Sequence, residues 1–293
     1  MNPGLSDYVI SLRPSHWTKN LFLFAALFFS QSLFHPRLLL LTSAAFLLYC
    51  LLSGASYVFN DLCDRESDRS HPVKSRRPIA SGRIGLGPST VLMAACAVVS
   101  LAGAFALGRG FFIICAAALV IQLCYSLVLK KIVIVDVFVI AVLFVLRVAA
   151  GAFVIHVEIS SWILICTLLL ALFLALGKRR HESLLDTEGS AHHREVLNEY
   201  SIGLLDQMIS VVAAATVITY ALYTVSESTK VKFHTQNLLF TVPFVLYGIF
   251  RYLYLIQKKQ EGGNPENILI TDKPLYVNIL LWLATTGIIL YVK

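Results

Sequence analysis

The stretch LLLLTSAAFLLYCLLSGASYVFNDLCDRESDRS, residues 38–70, joins a long apolar run to a dense group of charged side chains. The apolar part, residues 38–59, carries no charge, and about 20 mostly apolar residues are enough for a helix to cross a bilayer. The charged part contains three aspartates at short spacing. The stretch therefore predicts a membrane-spanning helix that ends in a polar site.

Comparable apolar runs follow along the whole chain and give nine candidate spans. They cover residues 20–34, 38–59, 89–107, 111–129, 133–156, 161–177, 206–226, 237–256 and 273–292. No flexible linker separates them. We expect a single all-α, polytopic membrane domain over residues 1–293, with nine transmembrane helices.

The composition supports this prediction and excludes a large soluble domain. Of the 293 residues, 57% are hydrophobic and 14% are charged, and the mean hydropathy is +0.75. The net charge of +7 is typical of helix orientation or anion binding in a membrane protein, so we expect no nucleic-acid partner. The N-terminal stretch lacks the cleavage region of a signal peptide. We expect the first apolar segment to remain in the mature protein.

The distribution of basic residues predicts the orientation. With the N-terminus in the cytosol, eighteen Lys and Arg residues lie on the cytosolic side, and Arg147 lies within a span. The opposite side then has five, which are Arg37, Arg109, Lys230, Lys232 and Lys293. This bias predicts a cytosolic N-terminus, cytosolic polar loops and an external C-terminus.

Asp61, Asp64 and Asp68 are the strongest candidates for chemistry. Their i, i+3, i+7 spacing places them within a sector of about 60° on a helix, with Asn60 at its edge. Clustered carboxylates repel each other, and Mg²⁺ binds through carboxylates, waters and substrate phosphate oxygens. We therefore predict a metal-diphosphate site. The alternative is a solvated helix whose aspartates pair with Arg65 and Arg69.

Basic residues near the same membrane face are candidates for holding phosphate. Lys74 and Arg77 follow the acidic cluster, and Tyr125 and Lys130 lie at the end of a later span. Contact with lipid headgroups is the alternative for Lys74 and Arg77, as interface anchoring is for Tyr125 and Lys130. Lys19 is first an interface anchor and second a phosphate ligand.

Two further sets lie at spans that follow. Asp136 and Arg147 share a helix face inside an apolar run, where charges are costly and usually face a cavity or a partner. We expect Asp136 to contact metal or ribose, and Arg147 to bind a lipid phosphate, close an ion pair or serve structure alone. Lys178 and Arg179 end the sixth span, where cations either counter the helix dipole or turn to a phosphorylated substrate.

The segment NDLCDRESD, residues 60–68, resembles the first aspartate motif of the UbiA superfamily of intramembrane prenyltransferases. The similarity covers nearly the whole chain and implies nine helices around a lipid-open cavity capped by cytosolic loops. One branch, the decaprenyl-phosphate phosphoribosyltransferases, is especially similar. The similar segments are RPSHWTKN, HPVKSRRPIASG, YSLVLKKIVIVDV, RVAAGA, GKRRHE and ITDKPLYVNILLW.

The resemblance implies transfer of 5-phosphoribose from 5-phosphoribosyl 1-diphosphate to a polyprenyl phosphate, decaprenyl phosphate in that branch, for cell-envelope glycan synthesis at the bacterial inner membrane. It implies Mg²⁺ held by Asn60, Asp61, Asp64 and Asp68, with the three aspartates catalytic. It also offers residues for the diphosphate, the 5-phosphate and the lipid phosphate, without assigning them among the three. These are Lys19, Lys74, Arg77, Tyr125, Lys130, Lys178 and Arg179, with Arg147 as an addition.

Two rival functions stay open at this point. The first is a prenyltransferase that moves a polyprenyl group from prenyl diphosphate to an aromatic acceptor. Against it, the second motif of such enzymes has two carboxylates, and only Asp136 follows YSLVLKK here. The second is a transporter with an ion path through Asp136 and Arg147, which leaves the three same-sided aspartates unexplained.

Overall fold

The computed structural model describes residues 4–70, 72–187, 197, 199–259, 262–263 and 265–292. Over these ranges the chain forms α-helices and short 3₁₀ segments, and no strand. The fold divides into two compact units. Within the described ranges, the first unit comprises residues up to 158 and the second comprises residues from 159 onward.

The first unit is built around one long helix, α3, which packs against α5, α6 and α7. Pro36 occupies the first turn of α3, where its missing N–H costs no hydrogen bond. The helices of this unit are α1 (Leu5–Ser11), α2 (Phe24–Phe29), α3 (Pro36–Cys63), α4 (Arg65–Ser70), α5 (Leu86–Leu107), α6 (Arg109–Leu127) and α7 (Val135–Ile155). Its 3₁₀ segments are Pro14–Leu23, Lys74–Arg76 and Leu129–Lys131.

The second unit has α8 packed on α9, and α11 packed on α9 and α13. Its helices are α8 (Ser161–Thr187), α9 (Ile202–Val225), α10 (Glu227–Phe233), α11 (Val242–Lys258), α12 (Pro265–Thr271) and α13 (Lys273–Tyr291), with a 3₁₀ segment at Asn237–Thr241. The predicted span at 161–177 is shorter than α8, because the helix continues for ten more residues to Thr187. Arg180 anchors this extension through Asp206 on α9, at 2.6 Å, and the carbonyl of Ile256 on α11, at 3.0 Å.

Eight helical segments of the described chain are long and apolar enough to cross a membrane, and they match the second to ninth predicted runs. They are Pro36–Cys63, Leu86–Leu107, Arg109–Leu127, Val135–Ile155, Ser161–Leu185, Ile202–Val225, Asn237–Lys258 and Lys273–Tyr291. The chain is a multi-pass membrane protein. The predicted count of nine is not confirmed, because the first run forms no helix of this length.

The first run, 20–34, instead continues a 3₁₀ segment into the short helix α2. A 3₁₀ helix is tighter than an α-helix, which suits the close approach of this segment to α7. At Gly151 an added Cβ would lie only 2.0 Å from the carbonyl oxygen of Leu23. The segment also follows α3 in the opposite direction, since Asn20 contacts Cys50 at 3.3 Å and the rings of Phe24 and Phe46 are 5.7 Å apart.

Candidate active site

The acidic cluster lies where α3 ends. The sequence predicts one helix through Asp68, whereas α3 ends at Cys63, Asp64 takes a non-helical conformation and α4 begins at Arg65. Helix-like hydrogen bonds continue across this break, from the Asp64 amide to the Asn60 carbonyl at 2.9 Å and from the Asp68 amide to the Asp64 carbonyl at 2.8 Å. The predicted spacing of the carboxylates therefore survives the break.

Arg77 bridges two of the three carboxylates. Its Nη1 atom lies 3.1 Å from Asp61 Oδ1 and 2.5 Å from Asp68 Oδ2. One nitrogen can contact both only because the two carboxylates share a side, as their spacing predicts. Both aspartates are almost fully buried, at 2% and 3% exposure, so the guanidinium balances charge that water does not reach.

Arg13 provides Asp61 with a second cationic partner. Its guanidinium also lies over the ring of Tyr57, 5.1 Å from the ring centroid. Tyr57 is one helical turn before Asp61 on α3, so both residues face the same side. Arg13 is thus held by a carboxylate and by an aromatic face.

Lys130 is the cationic partner of Asp64, the third aspartate of the cluster. Its Nζ atom lies 2.5 Å from Asp64 Oδ1 and 3.4 Å from Asn60 Oδ1. Asn60 in turn donates from Nδ2 to Asp64 Oδ2 at 3.0 Å. Lys130, which the sequence predicts as a phosphate ligand, is 7% exposed. In the structure it is paired with the acidic cluster through Asp64.

Three aspartates and three cations therefore form one neutral network. Repulsion between the carboxylates is relieved by Arg13, Arg77 and Lys130. Among the described residues, no three His, Cys, Asp or Glu side chains already converge at the geometry of a metal site. An incoming anion would offer these cations new partners, and that exchange would free the carboxylate oxygens.

The alternative pairing places Arg65 and Arg69 on the aspartates. In the structure both arginines face Glu66, at 4.0 Å and 3.4 Å. The Glu66 side chain is 79% exposed, since at about 100° per residue Glu66 points away from the side that carries the three aspartates. The solvated ion pairs of this segment therefore form around Glu66.

Two residues of the first unit have a strained backbone, and one of them, Arg13, belongs to the network. Arg13 has φ 51° and ψ 63°, although the residue before a proline strongly favours an extended backbone. Ile134, two residues before Asp136, has φ 69° and ψ −45°, and the Val135 amide bonds the Val133 carbonyl at 2.8 Å across it. This is the γ-turn that is rare and strained. Strain of this kind persists only where the surrounding structure fixes the conformation.

Asp136 and Arg147 both lie on α7, and both are buried. Asp136 is fully buried in the first turn of the helix. Arg147 donates to Asn20 Oδ1 from Nε, at 2.9 Å, and to the Leu143 carbonyl from Nη1, at 2.8 Å. These two hydrogen bonds give Arg147 a structural role. Its contact with a lipid phosphate stays a prediction.

The other predicted phosphate ligands fall into two groups. Lys19, Lys74 and Tyr125 are half-buried side chains of the first unit. Lys178 and Arg179 belong to the second unit, where both face Glu182, and Arg179 is 1% exposed. Substrate contact by these five residues stays a prediction.

Arg13, His16 and Asn20 are the residues that the sequence interpretation missed. All three lie in the segment RPSHWTKN, residues 13–20, in which the sequence predicts Lys19 as an interface anchor first and a phosphate ligand second. The available signal was the density of hydrogen-bonding side chains just before an apolar run. Nothing in the local spacing points to Asp61 or Arg147, which are far away in sequence.

Comparison with known proteins places this geometry in a family. The UbiA prenyltransferase family profile matches residues 20–267, which includes the acidic end of α3. The chain belongs to this family. The match also runs through both units of the fold.

Two bacterial relatives align with this UbiA-family chain over nearly its full length. The decaprenyl-phosphate phosphoribosyltransferase of Corynebacterium glutamicum is 30% identical, over 99% of this chain and 88% of the relative. The protein of the same name from Mycolicibacterium smegmatis is 29% identical, over 98% of this chain and 93% of the relative.

A solved structure confirms the UbiA fold. A UbiA homologue from Archaeoglobus fulgidus, bound to GPP and Mg²⁺, superposes with a TM-score of 0.71. The match covers 98% of this chain and 100% of that one, at 22% sequence identity. At this identity the likeness concerns the fold.

Proposed function

We propose that this protein transfers 5-phosphoribose from 5-phosphoribosyl 1-diphosphate to decaprenyl phosphate or a similar polyprenyl phosphate. The product is a lipid-linked phosphoribose for cell-envelope glycan synthesis. The observation that carries the proposal is the nearly full-length similarity to relatives named for this activity. The charged network at the end of α3 supports the proposal, because its three cations can donate to phosphate oxygens.

The network fits a magnesium ion. The Arg77 nitrogen occupies a bridging position between Asp61 and Asp68, so a cation is already accommodated between those carboxylates. Carboxylate and amide oxygens are the hard ligands that Mg²⁺ prefers. Asn60, Asp61, Asp64 and Asp68 would hold the ion, and when bound it would supply charge neutralisation at the donor diphosphate.

The cations of the network would then bind the phosphate groups of the donor. Arg13, Arg77 and Lys130 leave the carboxylates and donate to phosphate oxygens of the donor. The C1–O bond to the diphosphate breaks, and the diphosphate leaves with the electron pair. A polyprenyl phosphate oxygen forms the new bond to C1. Because that phosphate is ionised at neutral pH, no general base has to remove a proton.

The remaining predicted residues are assigned to positioning. Asp136 would contact metal or ribose at the start of α7. The other candidates for the lipid phosphate or the diphosphate are Lys19, Lys74, Tyr125, Arg147, Lys178 and Arg179. The isoprenoid tail would lie against apolar helix faces, where it contacts the protein without leaving an apolar environment.

The proposed site is on the cytosolic side of the bacterial inner membrane, with residues 1–293 acting as one domain. Lys and Arg are concentrated at the ends of the spans that carry the acidic cluster. Residues 14–29 run antiparallel to α3, since Arg13 contacts Asp61 near one end of it and Phe24 contacts Phe46 further back. We propose that this segment makes a ninth crossing, which places the C-terminus outside.

Product mass from the purified enzyme tests the function. The protein is supplied with Mg²⁺, a polyprenyl phosphate and an aromatic acceptor, together with either 5-phosphoribosyl 1-diphosphate or a prenyl diphosphate. We expect a lipid whose mass increases by one phosphoribosyl group, formed only with the ribose donor. A prenylated aromatic product and consumption of the prenyl diphosphate would overturn the proposal.

A further inference from the structure

A cavity of about 520 Å³ lies beside the acidic network in the first unit. Its polar lining comes from the start of the first 3₁₀ segment, the end of α3 and the loop after α4. These residues are Arg13, Ser15, His16, Asp61, Arg76 and Arg77. Arg13 and Arg77 are paired with carboxylates of the network, whereas Arg76 lies outside it and adds a positive charge to the described lining. The cavity is therefore suited to an anion.

The positions of two lining side chains are fixed by the fold. Arg13 and His16 both lie against Tyr57, with the Arg13 guanidinium 5.1 Å and the His16 ring 5.6 Å from the ring centroid. Arg13 lines the cavity and has a left-handed backbone, a costly conformation for a residue that precedes a proline. Strained residues cluster at active sites and ligand clamps, which supports a binding role for this part of the lining.

The cavity lining adjoins the proposed metal site. Asp61 belongs to both, and Arg77 links Asp61 to Asp68. Arg76 immediately precedes Arg77 in the same loop and lines the cavity, and its side chain is exposed. An anion in the cavity would therefore lie next to a diphosphate at the carboxylates.

A donor with two separate anionic groups matches this arrangement. In 5-phosphoribosyl 1-diphosphate the ribose carries the diphosphate at C1 and a monophosphate at C5. A prenyl diphosphate has an apolar chain in place of the second phosphate, and that chain would gain nothing from three arginines. The volume lies within the usual range of ligand cavities, about 300–1,000 Å³.

We propose that Arg13, His16 and Arg76 form the subsite for the 5-phosphate of the donor. This assignment rests on the proposed function and names the part of the site that selects a phosphorylated sugar over a prenyl chain. Arg13 links the two subsites, because it contacts Asp61 and also lines the cavity. His16 and Arg76 serve the 5-phosphate alone.

Two fragments of the donor separate the subsites in an experiment. Ribose 5-phosphate contains only the 5-phosphate, and inorganic pyrophosphate contains only the diphosphate. Inhibition by each is measured with the full-length enzyme in detergent for wild type, His16→Gln and Arg76→Gln. Arg69→Gln is the matched control, because Arg69 has a 45% exposed side chain, pairs with Glu66 and is not part of the cavity lining.

We expect Arg76→Gln and His16→Gln each to weaken inhibition by ribose 5-phosphate at least about tenfold, the usual loss for one charge-assisted hydrogen bond. Their KM for the donor should rise, while inhibition by pyrophosphate and the KM for polyprenyl phosphate stay within about twofold. Arg69→Gln should match wild type. Arg13→Gln should weaken both inhibitors, and unchanged melting temperatures establish that the variants fold.

Unchanged inhibition by ribose 5-phosphate in both variants would overturn the assignment. An equal loss of both inhibitors would do so as well. A raised KM for polyprenyl phosphate alone would assign the cavity to the lipid phosphate instead. In each case a wild-type enzyme that still makes lipid-linked phosphoribose keeps the proposed function, whereas a wild type without that product overturns the function itself.

Discussion

The Nε atom of Arg147 lies 2.9 Å from Asn20 Oδ1, although 127 residues separate the two in the chain. Both side chains are buried, at 5% and 1% exposure. The guanidinium also faces the ring of Phe144, 4.9 Å from its centroid. A buried cation is therefore satisfied by an amide, a carbonyl and an aromatic face, and it links the first apolar segment to α7.

Replacing Arg147 by Met should destabilise the fold. The variant leaves Asn20 Oδ1 without its charged donor, and a hydrogen bond to a charged group contributes about 1.5–3 kcal/mol. We expect a lower midpoint of thermal unfolding in detergent. Because the residues are in direct contact, Arg147→Met with Asn20→Leu should cost less than the sum of the two single changes. Strictly additive losses would show that the pair does not act as a unit.

The close approach of α7 to the first segment gives a second test. In Gly151→Ala the new Cβ would meet the Leu23 backbone, with the carbonyl oxygen at 2.0 Å, so the backbone has to move. We expect a loss of about 1–3 kcal/mol in unfolding free energy. Gly87→Ala is the control, because an added Cβ there has no described atom within 4 Å. Equal melting temperatures for both variants would contradict this packing.

The sequence predicted what local spacing encodes and missed what distant contacts create. Apolar runs predicted the spanning helices, and the i, i+7 spacing predicted that Asp61 and Asp68 share a side. The partner of Asp61 was not predictable in this way. Arg13 is 48 residues away, reaches Asp61 through a strained backbone and belongs to a segment that also matches an interface anchor. The close approach of Leu23 in that segment to Gly151 is also a contact between distant residues, which local propensity does not report.

Asp272 gives a prediction for pH. Its carboxylate bonds Arg251 through two pairs of atoms, at 3.0 Å and 2.8 Å, and accepts from the Leu275 amide at the start of α13. The Arg251 hydrogen bond lowers the pKa of Asp272 below its usual 3.8. The ion pair therefore stabilises the fold above about pH 4, and this contribution is lost as pH falls through the lowered value.

Asp272→Asn isolates that contribution, because Asn is an equally good helix cap. We expect the variant to melt below wild type at pH 7. The difference should begin to shrink as pH falls below 3.8 and should vanish below the lowered pKa of the folded state, where wild-type Asp272 is neutral as well. Melting curves over this pH range check the prediction. A difference that does not depend on pH would assign the effect to packing.

Asp64 tests the metal hypothesis most directly. Its side chain is 28% exposed and contacts Lys130, so Asp64→Asn removes charge from the cluster with little change in packing. We expect turnover to fall at least about 10²-fold, since neutralising charge on the leaving group is worth several kcal/mol. The melting temperature should also fall, because the substitution leaves the largely buried Lys130 ammonium without its carboxylate partner, so turnover is measured at a temperature at which both proteins are folded.

The matched control for Asp64 is Glu66→Gln, two residues along the chain. Glu66 has a 79% exposed side chain and pairs with Arg69, so the same change of charge leaves the acidic network intact. We expect activity within about twofold of wild type. An excess of chelator should reproduce the loss seen in Asp64→Asn, and added Mg²⁺ should restore turnover. Full activity of Asp64→Asn, or of the chelated wild type, would show that the carboxylates do not act through a divalent ion.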